Sequence, residues 1–151
     1  MKKLLIYLFL ILNLCKTGFA ENVKIIDADT IVINGEKIRF SGIDAPELKQ
    51  VCTKGDQKIF CGKIAKKILI SKIDKVKPIC IREGKDFYKR TLAECFVNGV
   101  SLSSFLVRNG YAFAYRKYSD KFINDEEFAK KKRLGFWSMK FEYPWEFRKK
   151  N

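Results

Sequence analysis

Apolar and polar positions alternate through "VKIIDADTIVI", residues 23–33, and again through "EKIRFSGI", residues 36–43. The two runs predict paired strands, and Asn34-Gly35 between them is the dipeptide that favours a tight two-residue hairpin. The period then lengthens. In "DQKIFCGKIAKKILISKI", residues 56–73, Ile59, Phe60, Ile64, Ile68 and Leu69 recur at helical spacing, with Lys63, Lys66 and Lys67 on the opposite face. "VKPICI" and "TLAECFV" read as two further strands separated by the polar turn "REGKDFYKR", and Asn98-Gly99 closes the second. "SLSSFLVRNG" predicts a short helix, with Ser101 as N-cap and Gly110 just past its end. "YAFAY" predicts a last strand. A final helix is expected from Asn124, with Asp125 to Glu127 at its positive end, Lys130 to Arg133 at its negative end and Gly135 as its stop. Short hairpin-linked strands with about three helices between them predict an α+β domain built on a small five-stranded barrel of the OB type.

The first twenty residues stand apart from this pattern. Lys2 and Lys3 precede an apolar run from Leu4 to Leu14, and "TGFA" supplies small residues for cleavage after Ala20. This is the layout of a removable export signal. A membrane anchor is the rival reading, but a spanning helix needs about 20 apolar residues, and Lys16 ends the run earlier. The expected mature chain, residues 21–151, is one domain.

Charge sharpens the picture. Without Lys2, Lys3 and Lys16 the chain keeps 28 basic against 17 acidic side chains, a net +11. Such an excess favours polyanionic partners: nucleic acid, anionic lipid or acidic glycans. The mature segment keeps Cys52, Cys61, Cys80 and Cys95, an even number that in an exported chain suggests two disulfides, in any of three connectivities. There is no His. That excludes Ser-His-Asp and Cys-His catalysis and leaves acid–base work to Asp, Glu, Tyr, Lys or a metal-bound water.

Against this basic background, residues 27–47 concentrate Asp27, Asp29, Glu36, Asp44 and Glu47 around one arginine, Arg39. Asp27 and Asp29 are two apart on a predicted strand and so share a face. The Asn34-Gly35 hairpin returns the chain beside them, which lets Asp29, Asp44 and Glu47 converge. Oxygen-only donors suit a hard cation, and the irregular geometry of a turn suits Ca²⁺ better than Mg²⁺. Singly, each acid has a plainer role as a turn cap or a solvated surface group. Arg39 and Arg90 offer planar forks that match phosphate, which lysine cannot do. Two forks and one divalent cation are what phosphoryl transfer requires.

"DADT", "RFSGIDAPE", "DFYKR", "LVRNGYA" and "GFWS", in that order from about Val23 to Ser138, resemble the thermonuclease (staphylococcal nuclease) family. The resemblance implies an OB-fold barrel with three helices. It also implies a Ca²⁺-dependent phosphodiesterase that cuts DNA and RNA, leaving 3′-phosphates and 5′-hydroxyls. By the same resemblance Asp29, Asp44 and the Ala45 carbonyl hold the metal, Asp27 acts on it through water, and Glu47 orients or deprotonates the attacking water. Arg39 and Arg90 grip the phosphate, while Tyr88 and Tyr118 lie near the nucleotide. The chain departs from the family pattern at Ala28, where glycine is usual, at Ala45 for threonine, at Lys89 for glycine and at Arg116 for a base-stacking aromatic. The cysteines resemble a pattern in exported Gram-negative relatives. Cys80 and Cys95 fall on strands flanking one turn and are expected to pair, and Cys52–Cys61 would tie the loop after the site to the first helix.

The expected protein is thus an exported, monomeric nuclease in the periplasm or outside the cell, acting on single-stranded or locally melted DNA and RNA. A barrel that binds nucleic acid without cutting it is the alternative. A binder of anionic surfaces would leave Arg39, Asp44, Glu47 and Arg90 unexplained.

Overall fold

The computed structural model describes residues 22–151. The predicted export signal, residues 1–20, lies outside the described residues. The strands and helices are β1 (Val23–Ile25), β2 (Thr30–Ile33), β3 (Glu36–Phe40), β4 (Ile43–Asp44), β5 (Val51–Lys54), β6 (Gln57–Phe60), α1 (Cys61–Ile73), β7 (Ile79–Lys85), β8 (Thr91–Val97), β9 (Val100–Ser101), α2 (Leu102–Arg108), β10 (Phe113–Ala114), α3 (Ile123–Lys131) and α4 (Pro144–Lys150). A 3₁₀ turn at Gly135–Ser138 precedes α4.

The main sheet runs β1-β2-β3-β8-β7, with β9 added to β8. Its pairings are antiparallel except β3–β8, where Arg39 lies opposite Leu92 in a parallel ladder. The sheet and the helices around it form an α+β fold, as the sequence pattern predicts. Both Asn-Gly hairpins have the expected geometry: Asn34 and Gly35 have φ 51° and 84°, Asn98 and Gly99 51° and 75°. Positive φ at both central residues matches the twist of the strands they join. Ser101 caps α2 by accepting the Ser104 N–H.

Four local expectations change. The run 23–33 is two strands, because the N–H groups of Ile26 and Asp27 both turn back to the Thr30 carbonyl. The predicted first helix loses its opening to β6, which pairs with β5 across a hairpin at Gly55, since Val51↔Phe60 and Lys54↔Gln57 supply a ladder. Helix α3 begins one residue before Asn124, and Phe122, not Asn124, stands at its cap. A fourth helix, α4, forms in the C-terminal "FEYPWEFRKK", with Pro144 at its first turn, where proline's missing N–H costs nothing.

Two disulfides close the frame. Cys80 and Cys95 sit directly opposite each other on β7 and β8, their Cα atoms 4.0 Å apart. Cys52 on β5 joins Cys61, the first residue of α1, so this bridge ties a strand, rather than a loop, to the helix.

The buried core includes Ile31, Ile38, Phe40, Leu69, Leu102, Leu106 and Phe113. Phe113 is the hub of an aromatic cluster with Trp137, Phe141, Tyr143 and Trp145. The C-terminal segment is therefore part of the core packing. Among the described residues no helix is long and apolar enough to cross a membrane.

Candidate active site

Three short stretches build the site. The turn before β2 carries Asp29, the middle of β3 carries Arg39, and β4 with the turn after it carries Asp44, Ala45 and Glu47. Thr30 pairs with Arg39 in the β2–β3 ladder, and the Phe40 N–H donates to the Asp29 carbonyl at 2.8 Å. Asp44 is held by the pairing of β4 with β10, opposite Phe113. Glu47 is pinned through its backbone. Gly62, at the start of α1, lies so close that a Cβ there would come within 2.0 Å of the Glu47 carbonyl oxygen. A glycine interrupting a helical pattern often marks such a close backbone approach.

Arg39 is the centre of the cluster. Its Nη1 donates to Asp29 Oδ1 at 2.6 Å, its Nη2 to Asp44 Oδ1 at 2.8 Å. One guanidinium thus spans two carboxylates that are almost wholly buried, 3% and 0% exposed. Asp29 also accepts from Thr30 Oγ1 at 3.0 Å and from the Ala45 N–H at 2.9 Å. Burial still dominates its titration and pushes the carboxyl up to about 6, against the pull of Arg39. Asp44 is likewise raised by burial, over the hydrogen bonds it receives from Arg148. Arg39 is held charged by Asp29 and Asp44 although burial opposes it.

Asp27 does not share a strand face with Asp29. Its Oδ1 accepts the Asp29 N–H at 3.2 Å and caps the turn between β1 and β2. The plainer reading of this residue describes what is seen. Its charge also contributes to the upward shift of Asp29.

Glu47 meets a residue that sequence reasoning did not single out. Arg148, on α4, donates from Nη1 to Glu47 Oε1 at 2.8 Å and to Asp44 Oδ1 at 3.1 Å, and from Nη2 to Asp44 Oδ2 at 2.6 Å. A second missed residue, the buried Gln50, makes this approach possible. Its Oε1 accepts the Glu47 N–H at 3.2 Å and its Nε2 donates to the Glu142 carbonyl at 2.6 Å. Nothing in the sequence distinguishes Gln50 from a surface glutamine. Arg148 stands in a run of basic residues that reads as a solvated tail.

Arg90 is placed elsewhere. It opens the end of β8, where its Nε donates to Asp86 Oδ2 at 2.6 Å and its N–H to Asp86 Oδ1 at 2.9 Å. Among the described residues no hydrogen bond or ion pair joins it to Asp29, Asp44 or Glu47. It lines an open cleft of about 560 Å³ with Lys37, Arg82, Lys85, Tyr88 and Lys89. Tyr88 is 76% exposed there, with the Arg90 guanidinium 5.6 Å from its ring centre. Tyr118 is also exposed and packs edge-on against Tyr115 at 4.9 Å. Arg116, which takes the position of a base-stacking aromatic, instead pairs with Glu126 and Glu127 of α3.

Among the described residues no three acidic, histidine or cysteine side chains converge as a ready-made metal cage. The donors present nevertheless fit a hard cation. They are all oxygen, Asp29 and Asp44 are buried carboxylates whose ionised forms are penalised, and a guanidinium already occupies the space between Asp44 and Glu47 as a stand-in positive charge.

The profile of the family described as staphylococcal nuclease homologue matches residues 37–139. An uncharacterized endonuclease of Haemophilus influenzae is 30% identical over 143 residues, covering 89% of this chain and 75% of its own length. The succinoglycan biosynthesis protein ExoI of Rhizobium meliloti is 31% identical and covers 83% of this chain and 70% of its own. A probable staphylococcal-like nuclease of rice, CAN4, is 30% identical over 75% of this chain, but that stretch is only 22% of the plant protein. With Arg39 bridging Asp29 and Asp44 at the head of the matched region, the chain belongs to the staphylococcal nuclease homologues, a family of phosphodiester-hydrolysing nucleases.

Proposed function

We propose that this protein is an exported, Ca²⁺-dependent endonuclease that hydrolyses DNA and RNA to 3′-phosphate and 5′-hydroxyl products. The observation that carries the reading is the Arg39 guanidinium fixed between two buried carboxylates, with Glu47 reached through the same arginine-bridged network. A Ca²⁺ ion held by Asp29, Asp44 and the Ala45 carbonyl would supply charge neutralisation at the phosphate and a bound water. Glu47 orients that water and accepts its proton. Arg39 donates to a phosphate oxygen from a position its two carboxylates hold fixed, so little reorganisation is needed when charge builds up. Arg90 contributes the second fork from the mouth of the basic cleft, where Lys37, Lys85 and Lys89 draw in the polyanion backbone. The exposed Tyr88 and Tyr118 suit stacking on unpaired bases, which favours single-stranded or locally melted substrate. The protein acts as a monomer. Two disulfides and the opening apolar run support export to the periplasm or the medium.

One observation favours a second reading, a barrel that binds nucleic acid without cutting it: Arg148 engages both Asp44 and Glu47. Digestion of heat-denatured DNA separates the two. Cutting that requires Ca²⁺, stops with EGTA and is lost in Glu47→Gln/Arg90→Ala is the expected result. Tight binding with no cleavage under Ca²⁺, Mg²⁺ or Mn²⁺ would establish the binding module instead.

A further inference from the structure

Asp44 is the most heavily engaged carboxylate in the site. Its Oδ1 accepts from Arg39 at 2.8 Å and from Arg148 at 3.1 Å, and its Oδ2 accepts from Arg148 at 2.6 Å. A carboxylate oxygen offers about two lone-pair positions, so Oδ1 is saturated. A cation on Oδ2 would stand against the Arg148 guanidinium. The same guanidinium also holds Glu47 at 2.8 Å. Arg148 therefore covers the carboxylates that the proposed reaction assigns to the metal and to the water.

The way α4 is attached shows which part of it is free to move. Its root is built into the core. Trp145 stacks on Tyr143 at 4.5 Å and 12°, and on Tyr115 at 5.6 Å and 7°. Upstream, Lys140 and Thr53 exchange backbone hydrogen bonds at 2.8 and 2.9 Å, and Gln50 holds Glu142. The tip is different. Arg148 is tied to the body of the protein by its ion pairs, with its side chain 39% exposed, and Lys149 and Lys150 pair only with nearby Glu146 and Glu142.

We infer that α4 is an intramolecular plug of the cation site. Arg148 and a divalent cation exclude each other at Asp44, and cation binding releases the tip of α4 while its aromatic root stays in place. The inference rests on the assignment of Asp44 as a metal ligand. It gives the C-terminal tail a task distinct from nucleic-acid binding: it neutralises buried carboxylates in the resting protein and sets the Ca²⁺ concentration at which the site fills.

The test is calorimetric titration of Ca²⁺, without nucleic acid, into wild type, Arg148→Gln and Asp44→Asn. Hydrogen exchange of residues 144–150 in wild type, with and without Ca²⁺, runs alongside it. If the plug is open in ~1–10% of molecules, removing it tightens apparent affinity by ~10- to 100-fold. The expected result is tighter binding in Arg148→Gln, with faster exchange at the end of α4 when Ca²⁺ is added to wild type. Equal affinities with unchanged exchange would overturn the plug while leaving the cation site standing. Weaker binding in Arg148→Gln would overturn it too, showing that Arg148 supports the site. Binding that Asp44→Asn does not disturb would remove Asp44 as a ligand and the plug with it.

Discussion

The two ends of β3 and β8 handle charge in opposite ways. At one end Asp29, Asp44 and Glu47 are locked by Arg39 and Arg148 in a network that buries two of the three carboxylates. At the other, Arg90, Lys37, Lys85 and Lys89 line an open cleft, and Arg90 has a single acidic partner, Asp86. The buried end is preorganised and costs stability when disturbed. The open end keeps its positive charge in water, available to a polyanion. The proposed reaction needs both properties, and one surface cannot supply them together.

Paired substitutions break this comparison most sharply. Arg39→Ala and Arg90→Ala should each lower the rate on denatured DNA by ~10²–10³-fold. Only Arg39→Ala should also lower folding stability substantially, by about 3 kcal/mol, because it strips compensation from buried carboxylates. Arg90 and Asp86 form a more exposed pair, of a kind worth about 1 kcal/mol or less. Urea melts of both variants check this, and equal losses of stability would erase the distinction.

The pH dependence of stability sharpens the contrast next. Asp29 keeps its proton to about pH 6 in the folded protein, whereas an unfolded chain releases it near 3.8. Between these values the folded state binds more protons, so stability falls as pH rises. The displacement corresponds to at most ~3 kcal/mol. In EGTA, the urea midpoint should be higher at pH 4.5 than at pH 7, and Asp29→Asn should remove most of the difference; Asp44, also raised by burial, would retain part. An unchanged slope in Asp29→Asn would mean that Asp29 is not the group responsible.

The smallest effect lies at the open end. Lys89 has φ 61°, the left-handed conformation, at the position where the family carries glycine. A non-glycine residue held there costs ~1–2 kcal/mol, part of which glycine's greater freedom in the unfolded chain offsets. Lys89→Gly should therefore raise stability by roughly 0.5–1 kcal/mol while removing one charge from the cleft. A thermal melt that falls on this substitution would contradict the account.

How well each part could be read from sequence follows the range of the forces behind it. The Asn-Gly hairpins, the Ser101 cap and the Thr91–Val97 strand appear where the pattern places them, because the residues that dictate them are neighbours in the chain. The opening of α1 was misread. Gln57 to Phe60 have acceptable helical spacing, and only the partner strand Val51–Lys54, joined by the Cys52–Cys61 bridge, makes them a strand. Asp27 was placed beside Asp29 by strict alternation, which the turn at Ile26 and Asp27 breaks.

Composition and local pattern alone determined a basic α+β domain, its hairpins, its even set of cysteines and the acids gathered around Arg39, since each depends on residue type and short spacing. Tertiary structure decided which of those charges meet. Arg39 lies ten residues from Asp29 and five from Asp44, so its role could be anticipated from one hairpin. Arg148 lies 104 residues from Asp44 and 101 from Glu47. It reaches them because Phe113, Tyr115 and the C-terminal aromatics pack into one cluster and Gln50 clasps the returning chain. That contact depends on the shape of the whole core, and no local pattern records it.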